Sequence, residues 1–470
     1  MKMPLLALLA GASLLAGCNL APEHVRPEGA IPAALPQGGV YPPAATDAPD
    51  VSTIGWRDFF VDPKLRDTIA LGLENNRDLR IAAANVLQAR AQYRVQRADQ
   101  LPTVRIGASA TVANAAGATA SGGTAGGDTV ETYSANVGVS AFELDLFGRV
   151  RNLSRAALEQ YFATEEAQRA ARISLIAEIA SAWLTLASDQ DQLAIARDTL
   201  ESYRQSLELT RAQFRIGTSS ELAVRQADTL YQGARNDIAS LQTQIARDQN
   251  ALQLLVGAPL APALLPQGLG EEVHTLSDLP ANLSSAVLLR RPDVLQAEHQ
   301  LIAQNANIGA ARAAMFPTIS LTASLGTIST ALSGLFGSGS ESWSAGPSAS
   351  LPIFDFGRRK GNVHYAEASQ KAAIATYERT LQTAFREVAD ALALRGTIGE
   401  QLAAQNARAE SAQIAARISD TRFRTGVDSF LTSLDAQRTA YAARQQLVTA
   451  RLTHAANLVE LYRALGGGLT

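Results

Sequence analysis

Four runs of strict two-residue alternation punctuate the chain. Val104, Ile106, Ala108, Ala110 and Val112 are interleaved with Arg105, Gly107, Ser109 and Thr111. Ala135, Val137, Val139 and Ala141 alternate with Ser134, Asn136, Gly138 and Ser140. Ile319, Leu321, Ala323 and Leu325 alternate with Thr318, Ser320, Thr322 and Ser324. The last run sets Trp343, Ala345, Pro347, Ala349, Leu351 and Ile353 against Ser342, Ser344, Gly346, Ser348 and Ser350. Period two predicts strands with one apolar and one polar face. The polar faces carry Ser, Thr, Asn and Gly and almost no charge. Gly/Ser-rich stretches at 117–127 and 333–340 join the members of each pair. The flanking Tyr133, Phe142, Phe147, Phe316, Trp343, Phe354 and Phe356 are placed to form aromatic girdles at a membrane interface. A soluble hairpin sandwich is the alternative reading of the same alternation.

Elsewhere the period is helical. No Gly or Pro interrupts the chain between Gly148 and Gly217, a run that as one helix spans roughly 100 Å. Its apolar positions recur every seven residues at Ile179, Leu186, Leu193, Leu200, Leu207 and Phe214, and after a short turn at Val224, Tyr231, Ile238, Ile245 and Leu252. Sustained heptads predict helices packed side by side as a coiled coil. The turn Arg215–Glu221 ends one helix at Gly217 and offers a Thr218…Glu221 capping box to the next. A second turn, Arg424–Phe430, offers Gly426 past a helix end and Asp428 as N-cap.

Prolines divide the chain. Eight of 18 lie between Pro22 and Pro63, an extended tether, and a second group at 259–280 separates two proline-poor stretches. The stretches are a repeat. Gln100–Pro102 matches Met315–Pro317, and Asp78 matches Asp293, at an offset of 215; the Phe-Gly-Arg triplets at 147–149 and 356–358, and Phe214–Gly217 with Phe423–Gly426, match at 209. The expected organisation is a leader at 1–17, an extended N-terminal segment at 18–62, a first unit at 63–257, a linker at 258–277 and a second unit at 278–470.

Composition narrows the chemistry. The 470 residues are 47% hydrophobic and 18% charged with net charge −3, which argues against nucleic acid as a partner. Lys2 and the apolar Leu5–Leu15 read as a signal peptide, and the small residues before Cys18 resemble the lipobox of bacterial lipoproteins, which implies that Cys18 is lipidated; a plain signal peptide with an incidental cysteine is the alternative. Cys18 is the only cysteine, so neither a disulfide framework nor a cysteine zinc site is available. His24, His274, His299, His364 and His454 are scattered, and no nucleophile elbow or Walker A sequence occurs. No enzyme and no cofactor are expected. An open sheet edge is not tolerated in hydrocarbon, and four strands cannot close a barrel. Two chains would supply eight strands around a filled interior, and three would supply twelve around a lumen.

The lipobox-like Leu14–Cys18, the pattern Trp56, Phe59, Phe60, Asp62, Leu65, the duplicated strand units and the paired turns resemble TolC-like outer-membrane efflux channels, in their lipoprotein (NodT-type) branch. The segments 142–149 and 423–438 carry the resemblance most specifically. It implies a mainly α fold with a transmembrane β portion: a homotrimeric β-barrel in the outer membrane continuing into a periplasmic α-helical coiled-coil tube. The implied partners are outer-membrane lipid, a periplasmic adaptor protein and an inner-membrane RND transporter. By the same resemblance Cys18 carries the lipid, and Arg215, Gly217, Thr218, Arg424, Gly426, Val427 and Asp428 form adaptor-contacting tips. Leu431 would be an apolar constriction, Asp435 a ring of three carboxylates, and Arg438 part of the polar links of a periplasmic gate. Asp435 and Arg438 also read as an ordinary i,i+3 ion pair. A type I secretion channel, or a lipid-anchored coiled-coil scaffold without a pore, are the alternative functions.

Overall fold

The computed structural model describes residues 19–42, 54–114, 129–269, 275 and 284–467. Cys18, His274 and the first Gly/Ser-rich loop lie outside the described residues. The elements run α1 (Trp56–Phe59), α2 (Pro63–Asn75), α3 (Arg77–Ala98), β1 (Val104–Asn114), β2 (Thr129–Glu143), α4 (Arg149–Arg215) and α5 (Glu221–Val256). Then follow α6 (Pro292–Ala313), β3 (Thr318–Ser329), β4 (Glu341–Ser350), α7 (Arg358–Arg424) and α8 (Phe430–Ala464). The Gly/Pro-free run is one 67-residue helix, and α7 has the same length. The fold is mainly α with a small antiparallel sheet.

The chain forms two compact units, and they are not the two sequence repeats: each repeat contributes to both. The first unit takes residues from 1–27, 86–164 and 297–377. Its sheet is a four-stranded meander in the order β1-β2-β3-β4, with β1 and β4 as edges. Register keeps like with like: Ile106 faces Val137, Val137 faces Leu325, and Leu325 faces Trp343. On the other face Ser109–Ser134, Ser320–Ser348 and Ser324–Ser344 are hydroxyl pairs at 2.8–2.9 Å. A one-residue slip would exchange the faces, so the alternation specifies the register. A bulge between Val139 and Phe142 preserves it. There Ala141 takes φ 52, and its N–H donates to Thr322 Oγ1 at 3.1 Å. The fourth alternating run extends to Ile353 in sequence, but β4 stops at Ser350. Pro352, lacking an N–H, follows at once, and Pro347 is accommodated on an edge strand. Residues 19–27 lie on α6: Ala21 packs at Gly309, and Arg26 forks onto Glu298 at 2.9 and 2.8 Å.

The second unit takes residues from 28–85, 165–296 and 378–470. Its core explains the aromatic pattern near residue 60. Trp56, Phe59, Phe60 and Leu65 are buried, and Phe59 stacks on Tyr462 with ring centroids 4.0 Å apart. Asp62 caps α2 by accepting from Lys64 N and Leu65 N. Trp183 Nε1 donates to the Leu264 carbonyl at 3.1 Å, fixing the inter-repeat connector to α4. One 18-residue window of α4 has mean hydropathy 1.4, and 56% of it is buried, so it packs as a core helix. The heptad residues Ile179, Leu186, Leu193 and Leu207 are buried, whereas Phe214 at the tip is 46% exposed. In α5 Ile245 and Leu252 are buried, while Val224, Tyr231 and Ile238 are half-buried. The hairpin is therefore covered at its connector end and less so toward its turn.

Candidate functional site

The two helical turns of the second unit are built alike. At the end of α4 the Gly217 N–H donates to Phe214 O and the Thr218 N–H to Gln213 O, a Schellman motif with Gly217 at φ 79. At the end of α7 the Gly426 N–H donates to Phe423 O and the Val427 N–H to Arg422 O, with Gly426 at φ 78. Only glycine adopts this left-handed conformation without steric cost.

Both expected N-caps are displaced. Ser220, not Thr218, caps α5 by accepting from Ala223 N at 3.2 Å. Thr218 is instead consumed by the preceding helix, with its hydroxyl donating to Gln213 O. Ser429, not Asp428, caps α8. Asp428 is held back across its turn by Arg422 at 2.7 and 3.0 Å, and that guanidinium keeps its carboxyl below the usual carboxylate range. A Schellman C-cap occupies two residues past the helix, which pushes the next N-cap two or one positions further on.

Of the expected tip residues Arg215, Gly217, Thr218, Arg424, Gly426 and Val427 are exposed and Asp428 is half-buried. Arg424 pairs with Asp420 at 2.7 Å. The first turn also carries apolar surface that charge patterning did not single out: Ile216 is 75% exposed and Leu222, at the start of α5, 65%.

Leu431, Asp435 and Arg438 stand at i, i+4 and i+7 on α8, hence on one stripe, and all three are exposed. Among the described residues, neither Asp435 nor Arg438 makes an ion pair within the chain, so the i,i+3 pair does not form. Both line a cavity of about 560 Å³ together with Tyr203, Asp237, Arg408 and Tyr441. A neighbouring stripe of α8 locks it to the first hairpin. Gln437 Nε2 donates to Ser206 Oγ at 3.2 Å, Tyr441 Oη to Asp237 Oδ2 at 3.1 Å, and Arg444 Nη2 to Asp198 Oδ2 at 3.0 Å. Burial, followed by the nearby Asp237 carboxylate, raises the Tyr441 phenol. Burial pushes Tyr203 up to about 12 against the opposing pull of Arg438. Sequence reading missed these links because each partner lies more than 200 residues away. Their own i, i+4, i+7 spacing was the available signal.

A second unforeseen node closes the opposite end of α8. The Arg291 guanidinium, nearly excluded from water, reaches Asp293 at 2.8 Å, Glu387 at 2.9 Å and the Ala464 carbonyl at 2.7 Å. Among the described residues no group of three or more His, Cys, Asp or Glu is gathered as a metal site.

Long paired helical hairpins with glycine turns, joined in sequence to strands that alternate apolar and polar faces, define an outer-membrane channel with a helical duct. The chain belongs to the outer membrane efflux protein family, which it matches over residues 68–258 and 283–467. It is 44% identical over 475 residues to the toluene efflux pump outer membrane protein TtgC of Pseudomonas putida, covering 100% of this chain and 96% of that protein. It is 42% identical over 462 residues to the cation efflux system protein CusC of Escherichia coli, covering 97% of each. A crystal structure of a membrane protein from Pseudomonas aeruginosa superposes with TM-score 0.88 at 40% identity, covering 96% of this chain and 98% of that one. The family is one of efflux channels, not of enzymes, and the chain is an outer-membrane exit channel of an efflux system.

Proposed function

We propose that three copies of this chain close a twelve-stranded barrel and a helical tube, and so pass cargo from a periplasmic adaptor and an inner-membrane RND transporter to the exterior. The observation that carries the reading is the sheet: a four-stranded meander whose β1 and β4 edges have no partner among the described residues, with one apolar face and one polar face that carries almost no charge. Edges of this kind are untenable in hydrocarbon and are removed by closure. Support comes also from α3, in which no residue is buried although Ile81, Leu87 and Val95 are apolar. Its apolar surface is what a neighbouring copy would cover.

In this assembly Cys18 bears the lipid, and the Gly217 and Gly426 turns, with their exposed Ile216, Leu222 and Val427, meet the adaptor. Three α8 helices bring Leu431, Asp435 and Arg438 together as the periplasmic constriction, with Asp435 a ring of carboxylates that favours cations. Leu431 is exposed, and among the described residues neither Asp435 nor Arg438 forms an ion pair, which suits contacts made between copies. Cargo is selected upstream, since the named relatives serve toluene in one case and cations in another. Detergent-purified protein should have the mass of a trimer, carry acyl groups on Cys18 and conduct ions in planar bilayers. A monomer without conductance refutes the channel assembly, and an unacylated Cys18 refutes the anchor alone.

A further inference from the structure

Asp189 on α4 and Asp248 on α5 place their carboxyls within hydrogen-bonding reach of one another. Gln244 Nε2 donates to Asp248 Oδ1 at 2.8 Å. Asp248 Oδ2, closed off from solvent, receives no donor. Two ionised carboxylates cannot satisfy this arrangement, because both only accept and their charges repel. One proton turns the clash into an O–H···O bond and fills the orphaned acceptor.

Among the described residues no Lys, Arg or His forms an ion pair or hydrogen bond with Asp189 or Asp248. On α4 the nearby Asp191 accepts from the Leu269 N–H at 2.9 Å, and residues 262–269 contain no titratable group. Lys64, Arg66, Asp67 and Glu74 lie on α2, which packs on α5; Arg247 precedes Asp248 on α5, and on α8 Arg444 is held by Asp198. Burial first, then the hydrogen bond and charge of Asp248, raise the Asp189 carboxyl from its ordinary 3.8 to about 6.

We propose that Asp189 and Asp248 share one proton and form a pH-sensitive clasp between the two helices of the first hairpin. Asp189 holds the proton and donates to Asp248 Oδ2. On deprotonation the proton passes to solvent and two like charges face each other across the helix interface. The folded carboxyl keeps its proton to higher pH than an unfolded one. The clasp therefore contributes fully below about pH 4 and is lost as the pH rises through about 6. It sits at the connector end of the hairpin, where Trp183 and Asp191 hold residues 264–269 on the same stretch of α4. Its loosening frees that level of the duct wall, whatever cargo passes.

Infrared titration of the full-length protein in detergent reads the carboxylic-acid carbonyl band directly. A band that titrates near pH 6 is expected in the parent protein and is expected to be missing from both Asp189→Asn and Asp248→Asn. In Asp248→Asn the amide donates to Asp189 without any proton. Hydrogen exchange of residues 186–192, normalised for intrinsic rates, should therefore rise about 25-fold between pH 4.5 and 7.5 in the parent and less than threefold in that variant. Survival of the band in both variants, or absence of a titrating band in the parent, overturns the shared proton. A pH dependence abolished by a chelator also overturns it, assigning the pair to a divalent cation.

Discussion

Arg291 is the position where the loss of one side chain is expected to do most damage to the helical duct. Its side chain is 6% exposed and serves three acceptors: Asp293, Glu387 and the carbonyl of Ala464 at the last turn of α8. Arg291→Met keeps most of the aliphatic volume and deletes the guanidinium. Removing one member of a buried ion pair costs about 3–5 kcal/mol, because the partner charge is left desolvated and unpaired. Glu387 retains a second cation, Arg463, at 3.4 Å, and Asp293 is 37% exposed. The lower end, about 3 kcal/mol, is therefore expected, with about 1 kcal/mol of it from the stranded carbonyl.

Local opening should report this loss where the network acts. Native-state hydrogen exchange of residues 458–464 should accelerate about a hundredfold, since 1.4 kcal/mol is a factor of ten. The β-strands should be unaffected. Glu387→Gln should cost less, and the double variant should fall short of the sum, because the two side chains belong to one network. An acceleration below fivefold in Arg291→Met would refute the reasoning and reduce the node to a solvated surface pair.

Asp435→Ala with Arg438→Ala should raise single-channel conductance while leaving the unfolding midpoint within about 0.5 kcal/mol, because both are exposed and neither is paired within the chain; unchanged conductance would return them to the helix surface. Tyr441→Phe removes the donor to Asp237 and leaves a half-buried carboxylate unanswered. It should cost about 1 kcal/mol and also shift conductance, with Gln437 and Arg444 still holding α8; a variant identical to the parent in both readouts dismisses the lock. Gly426→Ala meets open space but must adopt φ 78, so a cost of about 1 kcal/mol confined to exchange at residues 419–424 is expected. A loss spread over the whole molecule would contradict it.

Much of this architecture was legible in the residues because its rules are short-ranged. Period two named four strands and even their paired faces, since adjacent side chains in a strand must point oppositely. The absence of Gly and Pro between Gly148 and Gly217 named α4, and the matched spacing of Phe-Gly-Arg and Phe-Arg-x-Gly named the repeat. The errors were equally local. Thr218 and Asp428 look like N-caps in isolation, but the preceding helix claims Thr218 for its Schellman turn and Arg422 claims Asp428.

The sequence by itself determined which segments are helix, strand and turn, and which face of each strand is apolar, because those properties follow from neighbours within a few residues. Tertiary structure alone decided which side chains meet across the chain. Tyr441 with Asp237, Arg291 with Glu387 and Asp189 with Asp248 are joined over 59 to 204 residues of sequence, where no periodicity links one partner to the other. It also showed that Leu431, Asp435 and Arg438 are exposed, with no ion pair to Asp435 or Arg438 among the described residues. A coiled-coil pattern says that a helix will be packed, but the rotation and register of each helix against the others set which polar groups are satisfied and which are left for a second copy to answer.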